Sequence, residues 1–95
     1  MPKIIVIAII TAQEGSESAV EKGLAGLVEP TLREKGCLSY DLHIDNEDPT
    51  IFAFHETWES EADLDRHLES DHIKAFQKAG EEIIEDVQMH RLTMR

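Results

Sequence analysis

The chain has 95 residues, a formal net charge of −11 and an apolar share of 41%. That suffices for one layered domain, read here as residues 1–95 with a single core, and the low Gly and Pro counts argue against a disordered segment. The acidic balance argues against a nucleic-acid or anionic-membrane surface, since both need clustered Lys and Arg, and is read as a solubility feature.

The N-terminus opens with MPK and then IIVIAII. A basic residue before an apolar run is also how a secretory signal begins. This run is short and β-branched, and it is the most apolar segment of the chain. It is therefore read as a buried strand over Lys3 to Thr11 in a cytoplasmic protein. Ile4, Val6 and Ala8 fall on one face and Ile5, Ile7 and Ile9 on the other, which places the strand in the middle of a sheet. Cys37 is the sole cysteine, so no internal disulfide can form, in keeping with a reducing compartment. No run approaches the length of a membrane span.

After a loop at AQEG, a helix is predicted from about Ser16 to Lys35. Ser18 and Glu21 match a capping box. Leu24, Leu27, Val28 and Leu32 form one apolar stripe. Pro30 lacks an N–H and crowds the preceding turn, so a kink or tightened turn is expected there. Gly36 is placed to end the helix in the left-handed conformation.

Strand two is predicted over Cys37 to Ile44, with Leu38, Tyr40, Leu42 and Ile44 alternating with Ser39, Asp41 and His43. DNEDPT is a turn. Strand three, Ile51 to Trp58, returns as a hairpin, with Phe52, Phe54, Glu56 and Trp58 on one face and Ile51, Ala53, His55 and Thr57 on the other. The stretch 51–76 holds the sole Trp, all three Phe and three of the five His. Ser60 before EADLDRHL and Ser70 before HIKAF are two helix-start signals ten residues apart. They predict a helix over 61–80 that breaks and restarts, with Leu64 and Leu68 in its first half, Ile73 and Phe76 in its second, and His67 and His72 near the bend. A last strand is expected over Asp86 to Met94.

The order βαββαβ defines a ferredoxin-like α+β fold, four antiparallel strands with the helices on one face. Strand one is apolar on both faces while the helices cover one. The bare face therefore calls for a partner, and a second copy is the simplest: a homodimer packed sheet face to sheet face.

GCLSYDLH at 36–43, FHETWES at 54–60 and LDRHLESDHIKAF at 64–76 together resemble the antibiotic biosynthesis monooxygenase (ABM) family, small dimeric α+β-barrel proteins. The motif elements are Gly-Cys-x-x-Tyr entering strand two, Glu-x-Trp-Glu-Ser closing strand three, then His, a short gap and His-x-x-x-Phe. Within the family the chain is most similar to bacterial quinol monooxygenases, which oxidise electron-rich phenols with O₂ and use no metal or flavin. The resemblance thus implies no cofactor, with a small aromatic substrate and O₂ as reactants. Haem-degrading members use an Asn on strand one, a Trp on the second helix and a His further on. Here strand one has no Asn, and the other two positions are His67 and Gln77. Anthrone oxygenases carry an Asn and a Tyr flanking the strand-three Trp, where this chain has Phe54 and Leu64; only Trp58 matches. An isomerase of a phosphorylated carbonyl metabolite also has a two-His helix, so isomerisation stays open, as does a non-enzymatic dimer that binds a small ligand.

The candidate catalytic residues are His72, His67 and Glu56. Imidazole can take a proton from a phenol or enediol near neutral pH, and His72, at the start of the second helical piece, is expected to turn into the interior as that base. His67, beside the apolar stripe, would hold a substrate oxygen or orient His72. Glu56 shares a face with aromatic residues, where burial raises a carboxyl pKa and fits it for acid or base work. Each also has a plain structural role open to it: helix-end hydrogen bonding for the histidines, an ion pair for the glutamate. Trp58, Phe54, Phe52, Tyr40 and Phe76 could wall a flat ring, or serve as ordinary core. Cys37 reads as an inert thiol. No metal site is expected, since Cys-x-x-Cys and His-Glu-x-x-His are absent and a zinc site would need scattered histidines.

Overall fold

The structure is a computed structural model and describes residues 3–95. The element order is β1 (Ile4–Ala12), α1 (Glu17–Leu32), β2 (Cys37–Ile44), β3 (Ile51–Trp58), α2 (Glu61–Leu68), α3 (Asp71–Gly80) and β4 (Ile84–Leu92). The strands form one antiparallel sheet in the order β2-β3-β1-β4, so the ferredoxin-like architecture expected from the sequence is present. β1 lies inside the sheet, as its two-faced apolar pattern requires.

Cross-strand register sorts every strand residue to a face. Ile4, Val6, Ala8, Ile10 and Ala12 are buried under the helices, opposite Phe52, Phe54, Glu56 and Trp58 of β3. Ile5, Ile7 and Ile9 are half-buried on the open face. There Ile7 pairs with His55 on one side and His90 on the other. His55 also pairs with Asp41 of β2, so both His43 and His55 lie on the open face, away from the aromatic wall.

The helix starts divide by their chemistry. Ser60 Oγ accepts from the Asp63 N–H at 3.2 Å and donates to Asp63 Oδ2 at 2.9 Å, and Ser70 Oγ accepts from the Ile73 N–H at 3.4 Å. The two serine caps therefore break and restart the helix where the sequence predicts. The capping box expected at Ser18 does not form: α1 begins at Glu17 after Ser16, so Ser18 already sits inside the first turn, and Ser16 makes no side-chain cap bond.

The α1 stripe is also displaced. Val20, Leu24, Leu27 and Thr31 are its buried residues, while Leu32 is exposed. Pro30 lies in the last turn of α1, and the Glu34 N–H bonds to Thr31 O at 2.9 Å, a three-residue closure that tightens the exit. Gly36 is left-handed, at φ 86°, four residues beyond the end of α1 rather than at its cap. A side chain there would strike Asp63, since an added Cβ would overlap its Cβ and carboxyl.

Two strand expectations are corrected. β2 carries a bulge between Cys37 and Ser39, which takes Leu38 out of the alternation and leaves it exposed; Ile44, at the strand end, is exposed as well. β4 begins at Ile84 and ends at Leu92, two residues earlier at each end than predicted, with a register shift opposite Thr11 and Ala12.

Candidate functional site

β3, α2, α3 and the turn after α1 converge on one place. Under α2 and α3 lies a cavity of about 220 Å³, lined by Leu24, Leu27, Tyr40, Phe54, Glu56, His67, Ile73 and Phe76 among others. Its lining is mainly apolar, with Glu56 and His67 as its titratable residues apart from the phenol of Tyr40. Both are almost fully buried, Glu56 4% exposed and His67 2%. A larger groove of about 370 Å³ lies at Glu14, Glu17, Asp48 and Glu85, but its acidic walls offer neither a base in an apolar setting nor an aromatic face.

Local folding accounts for each functional group. Alternation along β3 puts Phe54, Glu56 and Trp58 on the inner face, and Tyr40 pairs with Glu56 across β2. The Trp58 indole N–H donates to Glu56 Oε1 at 2.8 Å. Tyr40 stacks on Phe54 with centroids 4.3 Å apart. His67, in the last turn of α2, is set between two rings: its centroid is 4.7 Å from Trp58 and 5.4 Å from Tyr40.

Glu34 is the residue that sequence reasoning missed. His67 Nδ1 lies 2.6 Å from Glu34 Oε2, and His72 Nε2 lies 2.8 Å from the same oxygen. Ser70 Oγ, which donates to the His67 carbonyl at 2.6 Å, is 3.3 Å from His72 Nε2. With Nδ1 committed to Glu34, the other nitrogen of His67, Nε2, has no hydrogen-bond partner among the described residues. The ring that lines the cavity is thus held by a carboxylate that does not line it. In sequence Glu34 reads only as one charge in a helix-end run; the tightened exit from α1 is the single local cue to its placement.

The expected site residues separate accordingly. Glu56, His67, Tyr40, Phe54 and Phe76 line the cavity together. Trp58 and Phe52 stand behind that wall, 0% and 1% exposed. His72, expected to enter the interior, is instead a partly exposed residue joined to Glu34 on the side of His67 away from the cavity lining. The reason is the cap itself: Ser70 and the Glu34 carboxylate hold the His72 ring at the break between α2 and α3.

Burial sets the electrostatics. Glu56 is pushed up to about 7, by desolvation first and by the Glu34 charge, with the Trp58 hydrogen bond pulling the other way. Burial lowers the pKa of His67, only partly opposed by Glu34, so the ring is neutral at neutral pH. The Tyr40 phenol is pushed up by burial and by Glu56, so it is a donor and not a base. The Cys37 thiol is pushed up to about 11, chiefly by desolvation, then by Glu34, Glu56 and Asp41. Glu34, His67 and His72 also offer three potential metal-ligand atoms within 4.8 Å of one another, so the scattered histidines that a metal would need are brought together.

An apolar cavity with one neutral imidazole and one carboxyl of near-neutral pKa, on a ferredoxin-like sheet, fits small-molecule chemistry on an ionisable substrate. The chain belongs to the antibiotic biosynthesis monooxygenase family, whose profile matches residues 3–79. It is 33% identical over 86 residues to the "Probable quinol monooxygenase YgiN" of Escherichia coli, covering 80% of this chain and 83% of that one. It is 30% identical over 57 residues to the Synechocystis protein sll1783, covering 60% of this chain but only 39% of that longer protein. Among solved structures, PA3566 of Pseudomonas aeruginosa superposes with a TM-score of 0.96 at 36% identity, covering 100% of this chain and 96% of its own. No helix among the described residues is long and apolar enough to cross a membrane.

Proposed function

We propose that the protein is a monooxygenase that oxidises a quinol or related phenol with O₂, without metal or flavin, and that it works as a homodimer. The observation that carries this reading is the pair formed by His67 and Glu34, on a ring that lines an apolar cavity and whose Nε2 has no hydrogen-bond partner among the described residues. Glu34 accepts the Nδ1 proton, which leaves Nε2 as the acceptor for a substrate hydroxyl. The base role thereby passes from His72 to His67, and His72 becomes the second donor that fixes the Glu34 carboxylate.

Ionisation of the phenol makes the ring electron-rich, and a ring carbon can then combine with O₂ to give a hydroperoxide. Loss of water from that hydroperoxide leaves the hydroxyquinone, so quinol and O₂ become hydroxyquinone and H₂O with no external reductant. Protonated Glu56 would donate to the second substrate oxygen, and the stacked Tyr40 and Phe54, with Phe76, would flank the ring. A volume of about 220 Å³ suits one or two fused rings. The YgiN resemblance supports the quinol class.

The dimer rests on the open sheet face. Ile5, Ile7 and Ile9 run along its centre, only half-covered by the chain itself, and Leu92 extends the apolar strip at 44% exposed. A second copy packed sheet to sheet would bury this face.

The deciding experiment is O₂ consumption by metal-stripped protein with hydroquinones and anthrone-like phenols, corrected for autoxidation. Uptake above background that is abolished in His67→Ala is the expected result. Turnover that persists without O₂ would favour an isomerase, and tight binding without turnover would favour a ligand-binding dimer.

A further inference from the structure

The Glu34 oxygen is shared by two imidazoles, and that arrangement has a second chemistry open to it. We propose that Glu34, His67 and His72 form a binding site for a zinc-class divalent cation, and that loading it switches off the proton-accepting nitrogen of His67. The binding claim stands on geometry alone; the inhibitory consequence rests on the function proposed above.

The donor set is two imidazoles and one carboxylate, a combination that binds Zn²⁺ and leaves a fourth position for water. The three donor atoms, Glu34 Oε2, His67 Nδ1 and His72 Nε2, lie within 4.8 Å of one another. Ligands at the usual zinc distances of about 2.0–2.2 Å sit a little over 3 Å apart in a tetrahedron. The two gaps to Glu34 Oε2, now 2.6 and 2.8 Å, would therefore open by roughly half an ångström. That movement falls to the partners of His67. The His67 ring is fixed between Trp58 and Tyr40, whereas the side chains of Glu34 and His72 retain 16% and 25% of their exposure. Solvent access at those two residues gives an ion its entry and a water its place. Neither lines the cavity, so the ion would sit behind His67, away from the substrate.

Binding changes which nitrogen carries the proton. In the metal-free site His67 Nδ1–H and His72 Nε2–H donate to Glu34. Metal at those two nitrogens requires each ring to hold its proton on the opposite nitrogen. His67 Nε2 then becomes a donor into the cavity and cannot take a proton from a phenol. Metal occupancy and base function are thus alternative states of one imidazole.

The test uses the full chain stripped with chelator and titrated with Zn²⁺ by calorimetry, and with Co²⁺ by its visible absorption. The expected result is saturable uptake of one ion per chain, weakened at least about tenfold in His72→Gln and in Glu34→Gln. It should be unchanged in His90→Gln, a control for the histidines of the open sheet face. Nitrogen-15 NMR should show the His67 proton move from Nδ1 to Nε2 as Zn²⁺ is added, a readout that needs no turnover. If quinol oxidation is established, Zn²⁺ should inhibit it in step with occupancy and chelator should restore it. Lack of saturable uptake at millimolar metal overturns the site. So does uptake that His72→Gln leaves unaltered, or a His67 tautomer indifferent to Zn²⁺. Zn²⁺ bound at this site with undiminished oxidation would overturn the switch alone. His72→Gln is at a partly exposed position and keeps the fold, which circular dichroism would verify.

Discussion

Glu34 Oε2 stands 2.6 Å from His67 Nδ1, although 33 residues separate the two in the chain. This contact sets the tautomer of the buried imidazole and leaves Nε2 without a hydrogen-bond partner among the described residues. Glu34→Gln keeps the size and one hydrogen bond but removes the charge that favours Nδ1–H. With a quinol substrate, kcat should fall by about a hundredfold or more while KM changes little. Steady-state O₂ uptake measures both. A loss confined to KM would show that Glu34 shapes binding rather than proton transfer.

Glu56 makes stability depend on pH in an unusual direction. Its folded-state value of about 7 lies above its ordinary 4.5, so the folded chain holds a proton that the unfolded chain has released. The stability this proton confers is complete below the ordinary value. It declines as pH rises and is lost above about 7. A gap of about two and a half pH units corresponds to about 3 kcal/mol. Glu56→Gln retains an acceptor for the Trp58 N–H and carries no charge. Urea denaturation should find it more stable than wild type at pH 8, by an amount that shrinks towards zero near pH 4.

Gly36 has both a left-handed φ of 86° and no room for a side chain against Asp63. Gly36→Ala should cost about 1–3 kcal/mol from the backbone alone. Displacement of α2 by the added methyl adds to that. Because Asp63 lies in the first turn of α2, the variant should also lengthen the Glu34–His67 contact. Chemical denaturation reads the first effect and the His67 NMR tautomer the second. An unchanged urea midpoint would rule out the close approach.

Ile7 lies at the centre of the open sheet face, between His55 and His90. A charge there would have to be desolvated in a sheet-to-sheet dimer. If the proposed sheet-to-sheet dimer forms, wild type should sediment as a dimer and Ile7→Glu as a monomer. Val87→Glu, on the helix-side face of β4 and 57% exposed, should not alter the sedimentation.

The fold was legible because its signals are local and repeated. The two-faced run of β1, the alternation in β3 and the serine caps at Ser60 and Ser70 each name an element with no help from distant residues. Errors arose where one residue alters a pattern: the bulge at Leu38 removes it from the core face, and the start at Glu17 puts Ser18 inside the helix. The site was half legible. Parity along β3 found Glu56 with its aromatic neighbours, and the helix break drew attention to His67 and His72. Their order of importance, and Glu34 altogether, depended on a turn 33 and 38 residues upstream of the two histidines. No spacing rule within one element reaches that far.

The interruption at Glu69 and Ser70 divides the roof of the cavity into helices of eight and ten residues. Segments so short have little helical stability of their own in water. They persist because a few side chains, Leu64, Ile73 and Phe76 among them, pack onto the sheet. Lifting one segment breaks far fewer contacts than unfolding the sheet, so amide exchange in α3 should outpace that in β1. The cavity also borders the exposed Val87 and Met89 of β4, so a lifted α3 would widen an existing mouth while the strands beneath it stay paired.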